Sequence, residues 1–363
     1  NGGPFAYTRL GMGDFSAYIV AWGYWVSIWC ANAAITVAIV GYLAVFLPIL
    51  AESAIVSILT GLGIIWFFTW INSKEIKTIA LVQIITTIFK IAPILIIGIW
   101  GLFYIQAENF TPFNLSGESD FSVITTTTVL TFFAFLGMES ATIPSSSVQD
   151  SATTVRKATI FGTLTTVVIY IISSVAIMGI IPAEVLAHSN APFADVAEIF
   201  WGGTAKYIVA AGAVVATMGA LNGWILMQGA IPMAAAQAGL FPQIFCKVNN
   251  SNSPVYGIMI SSVIVSVFML FNYSNSLVET FSYMMQLTTL AVTIPFLFSI
   301  TSYIILIKKS NSVLYKKLAV AIFALAFTVW IMYGCGIEVM ISGLILFLLG
   351  IPFYFLITKE KPI

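Results

Sequence analysis

The stretch Phe135-Leu136-Gly137-Met138-Glu139-Ser140-Ala141, with Pro144 three residues on, decides how this chain folds. It lies inside an apolar run that covers 121–147. A carboxylate, Glu139, therefore sits between two helix breakers at the middle of a stretch long enough to cross a bilayer. Ionisable groups at that depth are costly and mark function by default. A helix interrupted there frees backbone N–H and C=O groups, which is tolerated only beside protein or a water-filled cavity. The plainer alternative is a glycine-packed helix whose carboxyl is satisfied by its neighbours.

Composition places this stretch in a membrane protein. The chain has 363 residues, of which 60% are hydrophobic and 8% charged. Soluble domains carry about 25% charged residues. Fourteen Lys+Arg balance fourteen Asp+Glu, so the basic excess of a nucleic-acid binder is missing. Disorder, coiled coil and collagen are excluded by the same figures. Cys30, Cys246 and Cys335 show neither metal-ligand spacing nor a disulfide framework. His188 is the single histidine, so a His-rich metal site is not expected. The sequence opens on Asn1 and shows no signal-peptide pattern; its start reads as the interior of a longer protein.

Ten apolar segments are long enough to span a bilayer as helices: 15–47, 54–72, 76–105, 121–147, 158–181, 205–231, 254–272, 277–307, 314–335 and 338–357. The apolar runs do not alternate with polar residues, which argues against strands. The expected fold is all-α, a polytopic membrane protein of about ten transmembrane helices in one domain over 1–363. Lys and Arg set the orientation. With Arg9 cytoplasmic and one crossing per span, Lys74, Lys77, Arg156, Lys157, Lys247, Lys308, Lys309, Lys316, Lys317, Lys359 and Lys361 share its side. Lys206 falls outside and Lys90 within a span. The C-terminus is then cytoplasmic. Segment 182–203 is an outer loop long enough for a short surface helix.

Lys90, in Ile88-Phe89-Lys90-Ile91-Ala92-Pro93, is the second ionisable group inside a span. It lies some 18 Å from either end at 1.5 Å per residue, too far for good snorkelling. A buried Lys has a lowered pKa and can exchange a proton near neutral pH; a structural contact to backbone carbonyls is the alternative. Trp224 stands among small residues in Gly219-Ala220-Leu221-Asn222-Gly223-Trp224, where helices approach closely. Tyr24 and Asn32, two turns apart on the first span, roughly share a face. Asn32 needs partners, from a substrate or from a neighbouring helix.

Several short motifs in order resemble the amino acid–polyamine–organocation transporters. Asn1-Gly2-Gly3-Pro4-Phe5-Ala6-Tyr7-Thr8-Arg9 is similar to the segment before that family's third helix. Phe135 to Ala141 resembles the broken sixth helix of its basic amino acid/polyamine antiporter branch, which includes arginine–agmatine and putrescine–ornithine antiporters. Ala191-Pro192-Phe193, Gly239-Leu240-Phe241-Pro242 and Gly336-Ile337-Glu338-Val339-Met340 follow in the family's order. The resemblance implies an inverted five-plus-five repeat with two extra C-terminal helices, of which this chain holds the third to the twelfth and lacks the first two.

It implies substrate contacts at Tyr24, Asn32, Phe133, Ala134, Gly137 and Trp224, and gating and proton roles for Glu139 and Lys90. Phe133 stands where the arginine and putrescine transporters have Trp, and Phe is the weaker cation–π partner. Lys90 resembles instead the fifth-helix Lys of proton-coupled permeases. The implied activity is antiport of an amino acid against a related amine by alternating access in the cell (inner) membrane, with no cofactor and no enzymatic step. Its partners are a small amino acid or amine, protons, the lipid bilayer, a second copy in a homodimer, and a separate polypeptide supplying the first two helices. Proton–amino acid symport and an inactive fragment of a split gene remain open as rival readings.

Overall fold

The computed structural model describes all residues except 1–3, 75–90, 92, 139–150, 251, 273–275, 310–314 and 360–363. Among the described residues it is helical, with loops and no strand. Helices α1 (Pro4–Met12), α2 (Asp14–Leu43) and α3 (Ala54–Asn72) open the chain. Then come α4 (Pro93–Tyr104), α5 (Asp120–Phe133), α6 (Ser151–Ile180), α7 (Pro192–Trp201) and α8 (Gly203–Gln237). The chain closes with α9 (Val255–Asn272), α10 (Leu277–Lys309), α11 (Tyr315–Gly334) and α12 (Ile337–Lys359). Among the described residues, seven helices are long and apolar enough to cross a membrane, and α4, α5 and α9 are shorter apolar helices. These ten correspond to the ten expected segments. The first is shorter than 15–47 suggests, because the chain turns at Ala44–Phe46 and restarts in a single turn at Ile49–Glu52. In the loop at 182–203, α7 supplies the expected surface helix.

α2 is the axis of the bundle. Its sequence is apolar all round, and a helix of that kind belongs in a core; Tyr18, Val20, Ala21, Val26, Ile28, Ala33 and Val37 are essentially inaccessible. Trp22 Nε1 donates to the carbonyl of Leu346 at 3.0 Å, and Tyr18 Oη to that of Gly350 at 2.5 Å. At Gly350 the two helices nearly touch: a Cβ there would lie 2.4 Å from the Trp22 ring. Phe15 meets Tyr354 edge-on, so α12 runs antiparallel to α2. α10 does likewise, since Ser302 Oγ donates to the Tyr7 carbonyl at 2.8 Å and Gly23 faces Pro295. α8 is also antiparallel, with Arg9 on the Ala238 carbonyl at one end and Gly41 against Asn190, ahead of the helix start, at the other.

Proline opens a joint between α2 and α8. Pro232, inside α8, has no N–H for the carbonyl of Gln228. That carbonyl accepts instead from Trp25 Nε1 at 3.1 Å and Ser261 Oγ at 3.0 Å. The Gln228 side chain continues the network: its Oε1 accepts from Asn32 Nδ2, and its Nε2 donates to Ser262 Oγ, both at 2.7 Å. Ser262 Oγ in turn lies 2.6 Å from Thr69 Oγ1 on α3. Four helices are thus tied through one glutamine. Gln228→Leu should lower stability by about 1 kcal/mol, the scale of buried polar contacts between membrane helices. Detergent melting curves that coincide for the two proteins would show that the network carries no stability.

Candidate functional site

α5 rises only fourteen residues, Asp120–Phe133, about 21 Å against a hydrocarbon core of about 30 Å. Ser119 caps its start by accepting from the N–H of Ser122. At its other end the ladder tightens: the N–H groups of Ala134, Phe135 and Leu136 donate three residues back, at 3.0–3.1 Å. The chain then leaves the helix at Gly137, whose φ of +97° lies in the left-handed region that glycine enters without steric cost. Tyr170 of α6 donates its hydroxyl to the Ala134 carbonyl at 3.3 Å and packs its ring edge-on against Phe135. From α8, Trp224 presses on Gly137; a Cβ there would meet its ring carbons at 2.6 and 2.9 Å. The break expected at Gly137 is therefore present, and two neighbouring helices hold it.

The broken end borders a cavity of about 700 Å³. α2 contributes chiefly one stripe, Tyr24, Ile28, Ala31, Ile35 and Ala38, with Ser27, Val37, Gly41 and Tyr42 beside and beyond it. α10 contributes Leu277, Phe281, Met285, Thr288 and Val292, and α8 contributes Thr217, Ala220 and Trp224. On the antiparallel helices these positions run from the middle of the bundle, at Tyr24 and Trp224, toward Leu43 and Leu277. Ser189, Asn190, Pro192 and Phe193 roof that half. Lys206 pins the roof by pairing with Glu198 at 2.7 Å and Asp195 at 3.5 Å. On another face of α2, Trp22, Trp25 and Trp29 pack with Phe241 and Phe245 into one buried cluster.

The structure brings Tyr24, Phe133, Ala134, Gly137 and Trp224 to this one cavity. Asn32 is not among its walls. Eight residues turn a helix about 80° past a full repeat, which carries Asn32 off the Tyr24 stripe and into the contact with Gln228. Its Nδ2 finds a partner on the neighbouring helix, one of the two sources the sequence left open. Glu139 and Lys90 lie outside the described residues.

Tyr170, Phe281, Thr217 and Thr288 line the cavity without having been singled out from the sequence. Phe281 meets Phe133 edge-on at 6.4 Å. Thr288 stands in the polar pair Thr288-Thr289 within an apolar helix, a signal that could have found it.

None of the described lining residues is Asp, Glu, Lys or Arg. The hydroxyls of Ser27, Tyr170, Thr217 and Thr288 donate to backbone carbonyls. Their oxygens keep lone pairs for a donor. Aromatic faces with such acceptors suit an ammonium or guanidinium group.

A helical bundle in which a broken helix ends on a central cavity is the architecture of a secondary transporter. A family model described as amino acid permease matches residues 1–359, and the chain belongs to that family. It is 31% identical to a putative arginine/ornithine antiporter of Bacillus subtilis, over 99% of this chain and 83% of the relative. It is 30% identical to the putrescine transporter PotE of Escherichia coli, with the same shares covered. An arginine/agmatine antiporter of Chlamydia pneumoniae is 29% identical, over 99% of this chain and 77% of the relative. These names describe transporters rather than enzymes.

Proposed function

We propose that the chain exchanges a basic amino acid for a related amine across the cell (inner) membrane by alternating access. The observation that carries this reading is the break at Gly137, held against Trp224 at an aromatic cavity of about 700 Å³. Carbonyls at the end of α5 are the negative pole of a half-helix dipole and face a substrate cation. Tyr24, Phe133 and Trp224 enclose that cation, and the small residues Ala134 and Gly137 let it come close to the chain. The Arg9 end of the bundle is cytoplasmic, together with the C-terminus, and the roof at 189–193 covers the cavity on the outer side. Glu139 gains and loses a proton as the gate moves, and Lys90 couples proton occupancy to substrate.

Proteoliposomes test the exchange directly. Labelled arginine or putrescine should enter vesicles preloaded with either compound and stay out of empty ones. Uptake into empty vesicles driven by a proton gradient would replace exchange by symport. For the proton role, Glu139→Gln should flatten the pH dependence of exchange; a pH profile that keeps its shape removes Glu139 from the cycle.

A further inference from the structure

We propose that a bilayer phospholipid with an anionic headgroup binds along α2, its acyl chain in a groove between α9 and α12 and its phosphate at Lys247. α2 carries two stripes. One lines the central cavity; the other, Tyr18, Trp22, Trp25 and Trp29, lies about 120° round the helix and floors this groove. The groove encloses about 700 Å³ and its walls are almost wholly apolar.

Its rims face outward. Val267 and Phe271 of α9 are 46% and 84% exposed, and Leu349 and Phe353 of α12 are 58% and 48% exposed. These rims belong to membrane-crossing segments, so what meets them is hydrocarbon rather than water. The length fits one acyl chain: Ile260 to Phe271 spans about 16 Å, against about 15 Å for one leaflet's half of the core.

Charge selects the headgroup. Ile244 and Phe245 line one end of the groove, and exposed Lys247 lies two residues beyond Phe245. Its Nζ lies 5.9 Å from the centre of the Tyr256 ring, one turn before Ile260 on α9. Lys247 forms no ion pair with a described residue. A lone ammonium at the mouth of a hydrocarbon-filled slot complements a lipid phosphate that bears net charge. α2 thereby has lipid on one stripe and the central cavity on another.

Native mass spectrometry of the purified chain can decide the point, with phosphatidylglycerol and phosphatidylethanolamine of identical acyl chains as probes. The wild type should retain phosphatidylglycerol about fivefold more tightly. Lys247→Ala, at an exposed position, should erase that preference. Val267→Trp, at the exposed rim, should weaken retention of both lipids by filling the groove. Equal retention of the two lipids by the wild type would overturn the proposal, as would a preference unchanged in Lys247→Ala. A dimer that carries no lipid would also overturn it, assigning the face to a second copy.

Discussion

Gly137→Ala is expected to slow exchange at least tenfold while helix content and membrane insertion stay as in the wild type. Two effects combine at this one atom. A φ of +97° costs a residue with a Cβ about 1–2 kcal/mol. The added methyl would also stand 2.6 Å from the Trp224 ring, closer than any relaxed contact. Each 1.4 kcal/mol is a factor of ten in rate, so the dihedral alone approaches the expected loss. The two effects separate in a double variant. With Trp224→Ala the contact disappears and the dihedral cost remains, so alanine at 137 should harm less in that background. Wild-type exchange by Gly137→Ala would remove the break from the mechanism.

Trp224→Ala should weaken substrate binding about thirtyfold with a smaller change in maximal rate. A desolvated cation over a tryptophan face is worth up to about 2 kcal/mol, which converts to that factor at 1.4 kcal/mol per tenfold. The ring is also the wall that backs Gly137, so its loss widens the cavity beside the free end of α5. Trp224→Phe should recover part of the affinity, because a smaller aromatic face remains. Calorimetric titration of the purified variants against arginine and putrescine measures this. An affinity equal to wild type for Trp224→Ala would reduce the residue to packing.

Much of this architecture was legible from apolar runs and breakers. Ten segments of spanning length, the interruption at Gly137 and the surface helix in 182–203 all follow from local chemistry. Trp224 stood out because small residues flank it. What stayed hidden depends on rotation and on partners from distant sequence. Asn32 looked aligned with Tyr24, yet the 3.6-residue repeat turns it toward α8, where Gln228 waits at 2.7 Å. Tyr170 and Phe281 are single aromatic residues in helices rich in them, so nothing in their own neighbourhood marks them. Their roles come from the elements they meet: the Ala134 carbonyl for one and the Phe133 ring for the other. The cost of charge in lipid marked Glu139 and Lys90, and the proton roles proposed for them rest on that cost and on the resemblance.

The proline in α8 has a mechanical consequence. By losing one rung of its own ladder, α8 gains a strut to α2 through Trp25 and another to α9 through Ser261. Moving α2 away from α8 takes one of the two donors from the Gln228 carbonyl. A movement that parts α2 from α8 must break the bonds of Trp25 and Asn32 to Gln228 together, so the joint resists separation of the pair.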